Sequence, residues 1–147
     1  MVDPLRLRAL LERLGDEVAD LRRLARYDAD ALLADRDKLK SVKYGFVVAI
    51  EICIDAGQHV IASEGYRAPL NYGEVFAVLA EHGHLPDDDV PTFVAMAGFR
   101  NLLVHGYADI DDRRVVDTLH NHLDDFERFR RALAASAAGP SDDGAEI

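Results

Sequence analysis

From Lys38 to Ser63 the chain has no proline, and its middle is apolar on nearly every side: Phe46, Val47, Val48, Ile50, Ile52, Cys53 and Ile54. A helix of that character has no face to turn to water and belongs at the centre of a bundle. The β-branched residues in the run argue for a strand, but strands are short, and the length decides for a helix. Everything else in the chain then has to pack around this element.

The remaining pattern supplies the packing partners. Leu7, Leu10, Leu11, Leu14, Val18 and Leu21 recur at helical spacing and predict a first helix from about Pro4 into the twenties. Pro4 suits its first turn, where a missing N–H costs nothing. Ala31 to Leu33 predicts a short extra turn, and Gly65 to Leu70 a loop. Asn71 followed by Glu74 reads as a capping box opening a short helix that ends near His82-Gly83. Beyond Pro86, Asp87, Asp88 and Asp89 suit the start of a fourth helix carrying Val90, Phe93, Ala97 and Val104 on one face. Asp111 or Asp112 caps a last helix with Val116, Leu119, Leu123, Phe126 and Leu133. From Gly139 the chain is small, polar and acidic. The expectation is all-α: one four- to five-helix bundle over residues 1–138 and a disordered acidic tail over 139–147.

At 147 residues the chain has room for one core and not comfortably for two. No apolar run near bilayer length and no signal-peptide pattern stand out, so a cytoplasmic protein is expected, without membrane contact. The one cysteine, Cys53, sits in the apolar run and reads as a small core residue. The formal net charge is −10, and three of the acids (Asp142, Asp143, Glu146) lie in the tail, so the body stays acidic. Positive charges gather early, at Arg22, Arg23, Arg26, Arg36, Lys38, Lys40 and Lys43, as a local patch or as a solvated helical face. Broad, non-specific affinity for RNA is disfavoured by this balance; contact with a few nucleotides is not.

Chemistry concentrates in Arg100-Asn101-Leu102-Leu103-Val104-His105-Gly106-Tyr107. On a helix, Arg100 has Met96, Ala97, Leu103 and Val104 for neighbours, and a guanidinium among apolar groups requires a partner. The second helix offers Glu51, Asp55 and His59 at four-residue steps, a polar ridge whose buried carboxylates need a cation. Pairing Arg100 with Glu51 or Asp55 meets both needs. The same ridge makes a poor metal site, because three ligands on one helix lack a second cluster to close the shell. Arg100 and His105 stand about 140° apart on an ideal helix. Either the helix ends between them, with Gly106 as C-terminal cap, or two copies of the segment meet across a symmetry axis. His82, His84, His120 and His122 read as solvated, and Tyr44, Tyr66 and Tyr72 as packing residues rather than stacking platforms.

The stretches Tyr44 to His59, Tyr66-Arg67-Ala68-Pro69, Asn71 to Phe76 and Gly98 to Tyr107 together resemble the HepT toxins of HepT–MntA toxin–antitoxin pairs, in the HEPN superfamily. The likeness runs from the first helix to about residue 135, and the Arg, four residues, His, one residue, Tyr signature is complete. It implies a HEPN-like homodimer in which Arg100 and His105 of both protomers line a cleft and cleave RNA without metal or cofactor. It implies supporting roles for Asn101, Glu51 and Asp55, and a partner MntA-like nucleotidyltransferase that attaches AMP to Tyr107. The chemistry suits the residues: imidazole moves the proton of the 2′-hydroxyl or of the leaving oxygen, and guanidinium meets the charge on phosphorus.

Two other functions fit the sequence less well. A non-catalytic helical partner that presents a nucleotide or target to a nucleotidyltransferase suits the acidic charge but leaves the Arg–His pair idle. A purely structural dimer leaves Arg100 unexplained.

Overall fold

Asp3 opens the first helix by accepting from the backbone N–H of Leu5 at 3.0 Å and of Arg6 at 3.3 Å, with Pro4 in the first turn. The computed structural model describes residues 3–138, and these form seven α-helices and one 3-10 turn. In order they are α1 (Pro4–Leu24), α2 (Ala29–Ala34), α3 (Arg36–Glu64), α4 (Tyr72–Glu81), a 3-10 turn at Asp87–Asp89, α5 (Val90–His105), α6 (Asp112–Asn121) and α7 (Asp124–Ala138). Local chemistry explains most of the boundaries. Asp28, Asp35, Asn71 and Asp111 each cap the helix that follows through a side-chain oxygen. α3 ends at Gly65, whose φ of 71° lies in the left-handed region that favours glycine.

α3 is the centre, in contact with all six other α-helices. Its buried residues, Phe46, Ile50, Cys53 and Val60 among them, join those of α1, α4, α5, α6 and α7 in one core. Phenylalanines tie the layers: Phe46 meets Phe99 edge-on at 5.4 Å, and Phe93 meets Phe129 at 5.5 Å. Gly57 lets α4 close on α3, since a Cβ there would lie 2.5 Å from a Val75 methyl. Burial pushes the Cys53 thiol up, out of the reactive range, so it is a core residue.

Several expectations need correction. α3 is by length and hydropathy apolar enough to cross a membrane, contrary to the reading that no such run exists, although over half of that window is buried in the bundle. The single last helix is two. α6 packs on α2 and α3, and α7 on α1, so one straight rod cannot serve both. The break falls at His122-Leu123 without glycine or proline; Asn121 Nδ2 turns back to the Asp117 carbonyl at 3.1 Å. The acids before α5 make the 3-10 turn and give no side-chain cap. The buried face of α5 is Phe93, Ala97 and Phe99, while Val90 and Val104 are only half-buried. The Asn71–Glu74 box is one-sided: Asn71 accepts from the Glu74 N–H at 2.9 Å, but the Glu74 carboxylate turns to Arg67 and the Leu70 N–H. The acidic tail expected over 139–147 lies outside the described residues.

Candidate functional site

α5 packs across α3, where Phe99 meets Phe46, and beside α4, where Val94 lies against Gly73. That crossing sets Arg100 against Glu51. One carboxylate oxygen, Oε1, accepts from Arg100 Nε at 3.1 Å and from Nη2 at 2.6 Å. Nη1 donates to Asn101 Oδ1 at 3.0 Å, and the guanidinium carbon stands 5.3 Å from the centre of the Tyr72 ring. The Arg100 side chain is 14% exposed and that of Glu51 44%. The cation is therefore the sheltered member of the pair and the carboxylate the wet one. Three of the five guanidinium N–H groups are engaged, leaving one donor on each terminal nitrogen.

The rest of the polar ridge does not converge on this point. Asp55 is exposed, not buried as the ridge argument supposed. Its carboxyl is raised by desolvation first and then by the charge of Glu51, with Arg6 and Arg13 of α1 opposing. Glu51 thus takes Arg100 alone, and Asp55 looks toward α1. His59 keeps a buried Nε2 with no hydrogen-bond partner among the described residues. No group of three or more His, Cys, Asp or Glu side chains able to hold a metal occurs among the described residues.

His105 is the last residue of α5 and Gly106 its C-cap, as the sequence led us to expect, although the helix itself continues unbroken from Arg100 to His105. Gly106 occupies the C-cap and its N–H reaches the Leu102 carbonyl at 2.8 Å, but its φ is −104°. A Cβ there would lie 2.6 Å from a Leu102 methyl, so a larger residue would have to displace the end of that side chain. His105 is exposed, and Tyr107, just past the cap, is 75% exposed. Neither side chain has a hydrogen bond or ion pair among the described residues.

The outward face of α5 is unusual for a surface helix. Pro91, Val94, Ala95, Gly98, Asn101 and His105 are exposed in succession, and Met96, Leu102 and Val104 are half-exposed beside them. A Cβ on Gly98 would touch nothing within 4 Å. Mostly small and apolar, this stripe ends at His105.

Other sequence expectations changed with the tertiary structure. Tyr44 is 71% exposed and Tyr72 41%, so neither is a packing residue. Tyr66 does pack: its ring stacks on His82 at 3.5 Å and its hydroxyl meets His84 Nε2 at 2.8 Å. His84 is not solvated, since its Nδ1 reaches Ser136 of α7 at 2.6 Å, and burial lowers its pKa. His120 is bound through Nε2 to the Tyr27 carbonyl at 2.9 Å. Much of the early basic stretch is neutralised: Arg22 pairs with Asp124, Arg23 with Asp20, Lys38 with Asp35 and Lys43 with Asp112. Tyr72 is the neighbour of Arg100 that sequence reasoning missed. Its signal was the Asn71 cap, which puts Tyr72 in the first turn of α4 and its ring at the edge of the bundle.

A family model described as ribonuclease HepT-like matches residues 14–133. The mRNA nuclease HepT of Shewanella oneidensis is 30% identical over 85 residues, which span 58% of this chain and 64% of that relative, a little under two thirds of its length. A solved toxin–antitoxin structure with AMP-PNP superposes with a TM-score of 0.79 at 22% identity, over 90% of this chain and 99% of that one. The tri-AMPylated HEPN toxin of Shewanella oneidensis, solved in complex with the MNT antitoxin, gives 0.76 at 24% identity over 92% and 99%. At such identities the superpositions speak to the fold.

Proposed function

The chain belongs to the ribonuclease HepT-like family, and from that premise we propose that it is the toxin of a toxin–antitoxin pair, a metal-independent endoribonuclease of the cytoplasm. The observation that carries the reading is the state of Arg100. Glu51 holds its side edge while one N–H on each terminal nitrogen stays free, which suits a phosphate's paired oxygens. A guanidinium fixed in this way meets developing charge on phosphorus without first reorganising.

In this reading the RNA 2′-oxygen attacks the adjacent phosphorus, the O2′–P bond forms and the P–O5′ bond breaks. One His105 takes the 2′-hydroxyl proton and a second gives a proton to the departing 5′-oxygen. The two imidazoles come from two protomers. Because Arg100 and His105 lie on one uninterrupted helix and point about 140° apart, a single copy does not aim both at one phosphate. The small apolar stripe of α5 is the surface on which two copies pack, with the two His105 residues meeting at its end. Asn101 steadies Arg100 through Nη1. Asp55 supports the site only at a distance, through its repulsion with Glu51.

Regulation falls on Tyr107, whose exposure leaves its hydroxyl open to an MntA-like nucleotidyltransferase. Attaching AMP would set an anion beside His105 and compete for the donors of Arg100. The test is cleavage of RNA by the purified protein. Arg100→Ala and His105→Ala should each abolish it with the helical circular dichroism kept, and EDTA should leave it untouched. Cleavage that stops with EDTA overturns the mechanism. Co-expression with the partner should add AMP to Tyr107 by mass spectrometry, and Tyr107→Phe should remain unmodified.

A further inference from the structure

We propose that Tyr72 is a nucleobase-stacking subsite, taking one base of single-stranded RNA while its phosphate lies on the free edge of Arg100; this rests on the ribonuclease reading above. The argument starts from charge. With a formal net charge of −10 and four of its seven early cations paired to Asp124, Asp20, Asp35 and Asp112, the protein is poorly suited to holding RNA mainly by neutralising phosphates. Affinity for a few nucleotides must then come from stacking and from a small number of directed contacts. Stacking on an aromatic ring serves any base, because every base has a π-face.

Four tyrosines present exposed rings: Tyr27, Tyr44, Tyr72 and Tyr107. Tyr27 follows α1 and has Lys38, not Arg100, over its ring, 4.7 Å from the centre, so a base there would lie apart from the candidate phosphate contact. Tyr107 is the residue assigned to modification. Tyr44 is on the outer face of α3, two turns from Glu51, with no contact to Arg100. Tyr72 alone touches the guanidinium, at 5.3 Å from ring centre to Cζ, a separation within the span of one nucleotide.

The geometry gives each group a separate task. Glu51 holds the Nε and Nη2 edge of Arg100 and Asn101 holds Nη1, so the guanidinium cannot swing away from the ring. The two free donors then address phosphate while the open part of the Tyr72 ring addresses the base. The phenol hydroxyl has no hydrogen-bond partner among the described residues, so the contact with Arg100 is made by the ring.

A short single-stranded oligonucleotide carrying one 2-aminopurine, with every 2′-hydroxyl replaced by hydrogen so that it cannot be cleaved, tests this. Stacking quenches the 2-aminopurine fluorescence. The wild-type protein, Tyr72→Phe and Tyr44→Leu should quench it on binding. Tyr72→Leu should lose the quench and bind roughly five- to a hundredfold more weakly. In a second measurement on the wild-type protein, photocrosslinking a 5-iodouridine oligonucleotide should label Tyr72. Quenching that survives in Tyr72→Leu, absence of quenching in the wild type, or a crosslink elsewhere overturns the proposal. So does a change of oligomeric state in Tyr72→Leu, which would make the residue an assembly contact. Quenching at Tyr72 without cleavage of the natural RNA counterpart would instead sink the ribonuclease reading and leave the base subsite standing.

Discussion

Removing the exposed member of the Arg100–Glu51 pair should cost more than removing the sheltered one. In Glu51→Ala the carboxylate goes and Arg100, 14% exposed, keeps its charge with Nε and one Nη2 hydrogen unpaired. Hydrogen bonds to a charged group are worth about 1.5–3 kcal/mol, so a loss of about 2 kcal/mol is expected. In Arg100→Met the aliphatic stem is retained and the stranded group is Glu51, which is 44% exposed and takes water in place of the guanidinium. That change should cost about 0.5 kcal/mol, in the range of surface pairs. For a chain of this length the difference corresponds to roughly 3–6 °C in melting temperature at equal protein concentration. Thermal and urea unfolding of both variants and of the double variant would measure it. The double variant should return to the stability of Arg100→Met, because the unpaired charge is gone. Activity should separate from stability, with Arg100→Met folded and inactive. If Arg100→Met proves the less stable single variant, the assignment of the sheltered charge is wrong.

Gly57→Ala should destabilise by about 1–3 kcal/mol in urea unfolding, because its Cβ would stand 2.5 Å from a Val75 methyl; unchanged stability would mean that α4 yields freely. Desolvation and the charge of Glu51 raise the Asp55 carboxyl in the folded protein, so its contribution is full at low pH and is lost as pH rises through that raised value. Asp55→Asn should therefore be more stable than the wild type at neutral pH, with the gap closing below about pH 4, read from urea midpoints across pH. Gly98→Glu should fold, since its position is open in the single protomer, but should run as a monomer in light scattering and lose RNA cleavage. A Gly98→Glu dimer would move the interface off α5.

The helices were legible because apolar spacing records which side of a helix faces the core, whatever it packs against. Caps were legible for a similar reason. Asn71 and Asp111 act on N–H groups two or three residues away, so their chemistry is complete within the local sequence. The need of Arg100 for a carboxylate was also written in its neighbours. Which carboxylate was not: Glu51 and Asp55 lie one turn apart on the same ridge, and only the crossing of α3 and α5 selects Glu51. The same crossing decides that the carboxylate stays wet while the cation is covered. The break between α6 and α7 has no glycine or proline to announce it, since it answers to surfaces on α2 and α1 that are distant in sequence. Exposure of Tyr44 and Tyr72, and the tie from His84 to Ser136, likewise depend on which elements come to lie beside them. Residue type and spacing determine what a segment must bury and what it must pair. Tertiary packing decides with which partner, because several partners satisfy the same local rule and only one lies within reach.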